Sequence, residues 1–314
     1  MAGDSDKPRV IALVGPTASG KTALSLALAE QLNGEIVACD SRTVYRHFDI
    51  GTAKPSPAEQ TRIKHHLLDV VEPDEHYTVA EYVTQAAESI RDITARQKLP
   101  IICGGTGFYA RALLEGLIMP DVQPQEQLRA DLELFGDTEG NQALHEKLRL
   151  VDPKTALRLN VNDRFRIIRA LEVYTVTGRP MSDVVGRADP PYRTLWLGLN
   201  TAERTNLHQR IRLRFVQQVD EGLVDETTRL YERYGTQSKL MHTVNYKQIV
   251  QYLEGEHDLE RALELATQHN VQLARRQIIW FRSNPLIRWF EIDQLNSETL
   301  RRSVFNHINE WLSA

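Results

Sequence analysis

The stretch Gly15-Pro16-Thr17-Ala18-Ser19-Gly20-Lys21-Thr22 has the residue types and spacing of a phosphate-binding loop. Gly15 and Gly20 let the backbone curl so that successive N–H groups face an anion. A helix opening at Lys21 adds the positive end of its dipole. Lys21 supplies a mobile charge, and the Thr22 hydroxyl is a ligand for Mg²⁺. The apolar run Val10–Val14 before the loop and the helical pattern after it supply the strand and helix such a loop requires. That context weighs against a plain glycine-rich turn. The loop predicts binding of a diphosphate or triphosphate, with the phosphate transferred, hydrolysed or expelled.

Two further positions lie at predicted strand ends. Asp40 follows the run 35–39 and is placed to hold Mg²⁺ or to take a proton from a nucleophile; the alternative is a turn aspartate capping the next segment. Thr106 lies in Gly104-Gly105-Thr106-Gly107, a turn that lets backbone and hydroxyl approach a ligand, or that simply caps a helix. An NTP-hydrolysing loop protein usually has an apolar strand ending in a metal-holding acid. Here the strand over 99–103 runs into Gly104-Gly105, and Asp69 is the remaining candidate, which weakens the case for hydrolysis. His47, His65 and His66 have no partner at metal-ligand spacing.

Arginines gather in three places outside the predicted sheet: Arg158, Arg164, Arg166, Arg169 and Arg179; Arg204, Arg210, Arg212 and Arg214; Arg275, Arg276, Arg282 and Arg288. Each alone reads as a solvated helix face. Together, in a chain of net charge −4, they read as local patches for a phosphate backbone. Trp280, Phe281, Trp289 and Phe290 interleave with the last group and read mostly as core.

The elements that must position these groups alternate. Strands are predicted over 10–14, 35–39, 66–71 and 99–103, with helices over 21–32, 79–97 and 108–114 between and after them. The segment to Pro55 reads as loop. Alternation argues for an α/β fold with a parallel sheet covered by helices on both faces, whose ligands sit at strand carboxyl ends. From Pro120 to Pro191 only helices are predicted, over 125–132, 141–150, 153–159 and 163–177. A strand returns over 194–199. Helices follow over 203–219, 223–234, 246–253 and up to Phe281, then a strand within 285–290 and a helix over 298–312. The boundaries drawn are a P-loop α/β core over 1–117 and 192–314, and an inserted all-helical domain over 118–191. At 314 residues, 41% of them hydrophobic and 25% charged, two ordinary globular domains are expected. No apolar run approaches the ~18 residues of a membrane span, and the polar start lacks a signal-peptide core. Cys39 and Cys103 read as buried reduced thiols, so a cytosolic protein is expected.

The phosphate loop, Asp40-Ser41, the segment Asp49-Ile50-Gly51-Thr52-Ala53-Lys54-Pro55, the turn 104–107, Ala112-Leu113-Leu114-Glu115-Gly116, Arg169-Ala170-Leu171-Glu172 and Arg276-Gln277 with Trp280-Phe281-Arg282 together resemble the tRNA dimethylallyltransferase (tRNA isopentenyltransferase) family. The resemblance runs from Val10 to Phe290, and the segment 49–55 is far more specific than the phosphate loop. No zinc-finger extension is seen, so the likeness is to the bacterial type. It implies transfer of a dimethylallyl group from dimethylallyl diphosphate to N6 of the adenine just 3′ of a tRNA anticodon. Pyrophosphate leaves, with Mg²⁺ as cofactor, and the ATP-like loop binds a diphosphate. By this likeness Asp40 is the general base, Thr106 hydrogen-bonds the bridging oxygen of the leaving group, and Lys21 with residues 15–22 holds the diphosphate. The tRNA anticodon stem-loop is expected to meet Asp40, Ser41, Arg42, Thr43, Lys54, Arg129, Phe165, Arg166, Ile167, Ile168, Arg169, His242, Asn245, Lys247, Arg275 and Arg276. A monomer without membrane attachment is expected. Four positions depart from the common pattern: Thr43 for glutamine, His242 for arginine, Asn245 for glycine, and His269-Asn270 for Thr-Arg. The competing readings are an adenylate isopentenyltransferase with a free-nucleotide acceptor, a small-molecule P-loop kinase and a non-catalytic tRNA-binding protein.

Overall fold

The computed structural model describes residues 7–314; the polar start, 1–6, lies outside the described residues. The chain divides into two compact units, one of residues Met1–Leu113 and Pro191–Ala314 and the other of Leu114–Pro190.

The first unit is built on a six-stranded sheet. Its strands are β1 (Arg9–Val14), β2 (Gly34–Ala38), β3 (His65–His66), β4 (Leu99–Gly104), β7 (Arg193–Asn200) and β8 (Arg288–Glu291), in the order β3-β2-β4-β1-β7-β8. Every pairing is parallel. Val10 to Val14 are all buried, as expected of a parallel strand covered on both faces. Helix α1 (Lys21–Gln31) crosses from β1 to β2. After α2 (Pro57–Arg62), helix α3 (Val79–Ala95) crosses to β4, and α4 (Gly107–Leu114) follows the turn at its end. The α3 start is a capping box, with Thr78 accepting from Glu81 N and Glu81 from Thr78 N. The α2 start is another, on Ser56 and Glu59. Ser56-Pro57-Ala58-Glu59 is the local signal for this helix, which follows directly on the loop ending at Pro55.

The strand predicted over 66–71 is corrected. Leu67 and Asp69 have φ of 63° and 56°, in the left-handed region, so the run breaks after His66, leaving a two-residue strand and an isolated bridge from Tyr45 to Val71. Apolar content alone did not distinguish a strand from a kinked loop packed beneath residues 43–46.

The second unit is helical: α5 (Glu126–Thr138), α6 (Gly140–Val151), α7 (Pro153–Arg158), α8 (Arg164–Thr177) and the short α9 (Met181–Val184). Leu144, Leu148, Ile167, Ile168 and Leu171 form its core. It is not wholly without strands, because β5 (Leu117–Ile118) pairs antiparallel with β6 (Gly186–Arg187). Two residues are too short to leave a period in the sequence.

Back in the first unit, α10 (Arg204–Asp220), α11 (Leu223–Tyr234), α12 (Tyr246–Leu253) and α13 (Leu259–Arg282) precede β8, and α14 (Ser297–Ser313) closes the chain. Phe48, Phe215, Leu230, Tyr246 and Ile249 form a core separate from the one beneath the sheet. Among the described residues no helix is long and apolar enough to cross a membrane.

Candidate active site

The phosphate loop hangs from the carboxyl end of β1, an inner strand. There the chain turns first to β2 on one side and later to β7 on the other, the position at which parallel sheets bind ligands. Gly15 has φ of 147°, and a Cβ on it would lie 2.3 Å from the Leu199 carbonyl oxygen, so only glycine fits against β7. The loop frames a cavity of about 460 Å³, lined by Thr17, Ala18, Lys21 and Thr22 on one side. Asp40, Arg42 and Thr43 line it from the segment after β2. Arg214 and Gln218 come from α10, His242 and Asn245 from the approach to α12, and Arg276 and Gln277 from α13.

Lys21 Nζ donates to the carbonyls of Gly15 at 2.9 Å and Pro16 at 2.6 Å. Burial, aided by the nearby Arg214 charge, lowers its pKa to about 8. Burial likewise lowers that of Arg214, whose Nη1 donates to Thr17 Oγ1 at 3.1 Å. Two half-buried cations face one cavity in which Asp40 is the one lining carboxylate, an arrangement suited to an anionic ligand. Ser19 Oγ is buried without a partner.

Opposite the loop, Asp40 Oδ1 accepts from Arg42 N at 2.8 Å, so the residue both caps its own turn and lines the cavity. Thr106 Oγ1 accepts from Ser41 N at 3.0 Å, and its proton points to Ser41 Oγ at a long 3.5 Å. Thr43 is 6% exposed, with Oγ1 unpartnered on the cavity wall. Burial pushes the Cys39 thiol up to about 12 and raises that of Cys103, a half-buried residue on the cavity wall, which favours the protonated thiol at both.

The segment 49–54 is held from beneath by Glu226, which accepts from the amides of Asp49, Ile50 and Gly51 and from the Tyr246 hydroxyl at 2.6 Å. Nothing in the sequence reading marked Glu226; its position on the buried face of α11 is the signal that was available. Glu226→Ala is expected to lower unfolding free energy by about 3 kcal/mol, since several buried donors lose their acceptor. A shift of the urea midpoint at unchanged slope measures it. Asn245 sits at φ 81°, a left-handed conformation that asparagine tolerates. Its Nδ2 donates to the Gly51 carbonyl at 2.8 Å and its Oδ1 accepts from Asn270 at 2.7 Å. Asn245 and Asn270 therefore form one hydrogen-bonded pair.

Several expected RNA contacts are otherwise engaged. Lys54 has a side chain 2% exposed. It donates to Asp69 at 2.6 Å, to the Tyr45 carbonyl at 2.9 Å and to Asp49, so it braces the loop, and Asp69 does not line the cavity. In the helical unit, Arg129 pairs bidentately with buried Glu172 at 2.7 and 2.8 Å. Arg169 pairs with the same carboxylate and donates to the Val122 carbonyl at 2.9 Å. Opposed burial and hydrogen bonding leave Glu172 with a lowered pKa. Ile167 and Ile168 are core residues, so their side chains are withheld from any partner. Phe165, 75% exposed, and Arg166, its side chain 65% exposed, present the open face of that helix start. Lys247 and Arg275 are exposed but do not line the cavity. Arg210, placed above in a stripe for nucleic acid, donates to the Ala18 carbonyl at 2.9 Å, so with Arg214 it serves the phosphate loop.

A parallel sheet with this loop at its switch point and a cavity lined by several cations and one carboxylate defines a P-loop α/β protein for a phosphorylated substrate. Comparison with known proteins is sharper. The family model for IPP transferase matches residues 43–284. The chain is 40% identical over 96% of its length to the tRNA dimethylallyltransferase of Thermoanaerobacter sp. (strain X514), covering 97% of it. It is 43% identical over its whole length to tRNA dimethylallyltransferase 2 of Geotalea uraniireducens, covering all of that protein. The full-length tRNA isopentenylpyrophosphate transferase of Bacillus halodurans superposes with TM-score 0.73 at 37% identity, over 98% of this chain and 97% of that one. A eukaryotic dimethylallyltransferase captured acting on tRNA superposes with TM-score 0.82 at 26% identity, over 98% of this chain and 80% of that one. The chain belongs to the IPP transferase family, the family of the tRNA dimethylallyltransferases.

Proposed function

We infer that this protein transfers a dimethylallyl group from dimethylallyl diphosphate to N6 of the adenine 3′-adjacent to the anticodon in tRNA, releasing pyrophosphate. The observation that carries the reading is the cavity of about 460 Å³ that the phosphate loop and Asp40 share, a size suited to a prenyl diphosphate meeting a base. The N6 lone pair attacks the allylic carbon. The C–O bond breaks, its electrons leave on pyrophosphate, and the N6 proton passes to Asp40. Lys21, Arg214 and the amides of residues 15–22 stabilise the charge that develops on the leaving group. The Thr106 hydroxyl accepts from Ser41 N but donates only over a long 3.5 Å to Ser41 Oγ, which supports it as the donor for the bridging oxygen.

Mg²⁺ fits the donors present. Among the described residues no cluster of three His, Cys, Asp or Glu side chains is placed to hold a metal. The Thr22 hydroxyl on the cavity wall supplies one oxygen, which suits an ion that relies on substrate phosphates and water. When bound, Mg²⁺ neutralises part of the leaving group's charge. The adenine must leave its stack to enter the cavity, at a cost of a few kcal/mol.

The test supplies labelled dimethylallyl diphosphate and Mg²⁺ with unmodified tRNA or with AMP, ADP or ATP. Label at the adenine beside the anticodon is expected. Label only in the free nucleotide would move the acceptor, and label in neither would sink the reading. Arg166 is proposed to meet the tRNA backbone. Arg166→Ala should weaken tRNA binding and reduce the slope of log Kd against log salt by about 1. An unchanged slope would remove the phosphate contact.

A further inference from the structure

One side chain of α13 clasps both loops of the phosphate site. Gln277 Oε1 accepts from the Thr17 backbone N–H at 2.8 Å, and its Nε2 donates to the Gly105 carbonyl at 3.0 Å. The fit is close. A Cβ at Gly105 would lie 2.3 Å from Gln277 Nε2, and one at Gly107 would lie 2.0 Å from Trp280 Cδ1. Gly105 and Gly107 therefore admit α13 against this turn, while Gly104 and Gly105 also line the cavity. On the other flank of the loop, Ala18 (φ 61°) packs on a small core made by Leu207 and Ile211 of α10 and Ala274 of α13.

We propose that Gln277 is a positioning residue for the diphosphate. Its amide holds the crest of the phosphate loop and the turn 104–107 at the separation the leaving group requires. The C-terminal helices thus shape the diphosphate site together with the loop itself. The inference rests on the reading that this cavity takes a prenyl diphosphate. The chemistry is specific to an amide, because Thr17 N–H needs an acceptor and the Gly105 carbonyl needs a donor. Glutamate accepts but cannot donate when ionised, and it brings a negative charge to the diphosphate. Methionine keeps the length and offers neither.

The test titrates inorganic pyrophosphate with Mg²⁺ into the wild-type protein, Gln277→Met and Gln277→Glu, and measures KM for dimethylallyl diphosphate and for tRNA. Loss of two hydrogen bonds predicts about tenfold weaker pyrophosphate binding in Gln277→Met. KM for dimethylallyl diphosphate should rise with it, while KM for tRNA and the melting temperature hold. Gln277→Glu should lose more, through like-charge repulsion, and being isosteric it keeps the test standing if the methionine variant does not fold. Wild-type pyrophosphate affinity in both variants would overturn the proposal. So would an equal loss toward both substrates accompanied by a lower melting temperature, the mark of a mere structural prop. If the wild-type protein itself binds no pyrophosphate, the proposed function fails instead.

Discussion

Asp40→Asn is expected to slow prenyl transfer about 10²–10⁴-fold, the usual worth of a positioned general base, while tRNA affinity stays within about twofold. The substitution is chosen from the geometry. Asp40 Oδ1 accepts from Arg42 N at 2.8 Å, closing the turn that follows β2. An amide oxygen keeps that bond, so the turn and the neighbouring Arg42 and Thr43 stay in place. What is lost is the capacity to take the N6 proton. Asp40→Ala removes the turn bond as well, and comparing the two variants separates base from scaffold. Single-turnover rates with saturating tRNA, alongside a tRNA binding isotherm, make the measurement. Near wild-type turnover in the asparagine variant would end the general-base assignment.

Lys21→Ala is expected to cut kcat/KM for dimethylallyl diphosphate about 10²–10³-fold, the range found when one preorganised donor to a developing anion is removed. The ammonium also leaves a pH signature. Its pKa stands at about 8, lowered by burial, so raising the pH through 8 discharges it in the free protein. A bound diphosphate stabilises the charged form and draws the proton back. KM for dimethylallyl diphosphate should therefore climb above pH 8, while kcat at saturation changes less. Lys21→Arg, which stays charged, should flatten the KM profile whatever it does to the rate. A wild-type KM that is level from pH 7 to 9.5 would show that Lys21 does not titrate where the burial places it.

What the sequence determined by itself is local. The phosphate loop is contiguous, and its glycines, lysine and threonine act through the backbone they sit in, so Gly15 to Thr22 were legible without any partner. The same holds for the buried run of β1, for the capping box at Thr78 and Glu81, and for the periodic face of α12, where a short-range pattern sets the element. Asp40 was expected at a strand end because a parallel sheet presents its strand ends on one edge, and it lines the cavity there.

Tertiary structure decided which charges are free and which remote residues join the site. Glu226, Arg214 and Gln277 act on the segments 49–51, Thr17 and Gly105 from about 170 to 260 positions away, a distance across which no sequence period carries information. Lys54, Arg129 and Arg169 were expected RNA contacts by family likeness, and the fold pairs them with carboxylates, Lys54 with Asp49 and Asp69 and both arginines with buried Glu172. A residue type states what a side chain can bond. Only packing chooses the partner, because a buried charge must be compensated by whatever group the fold brings within about 3 Å.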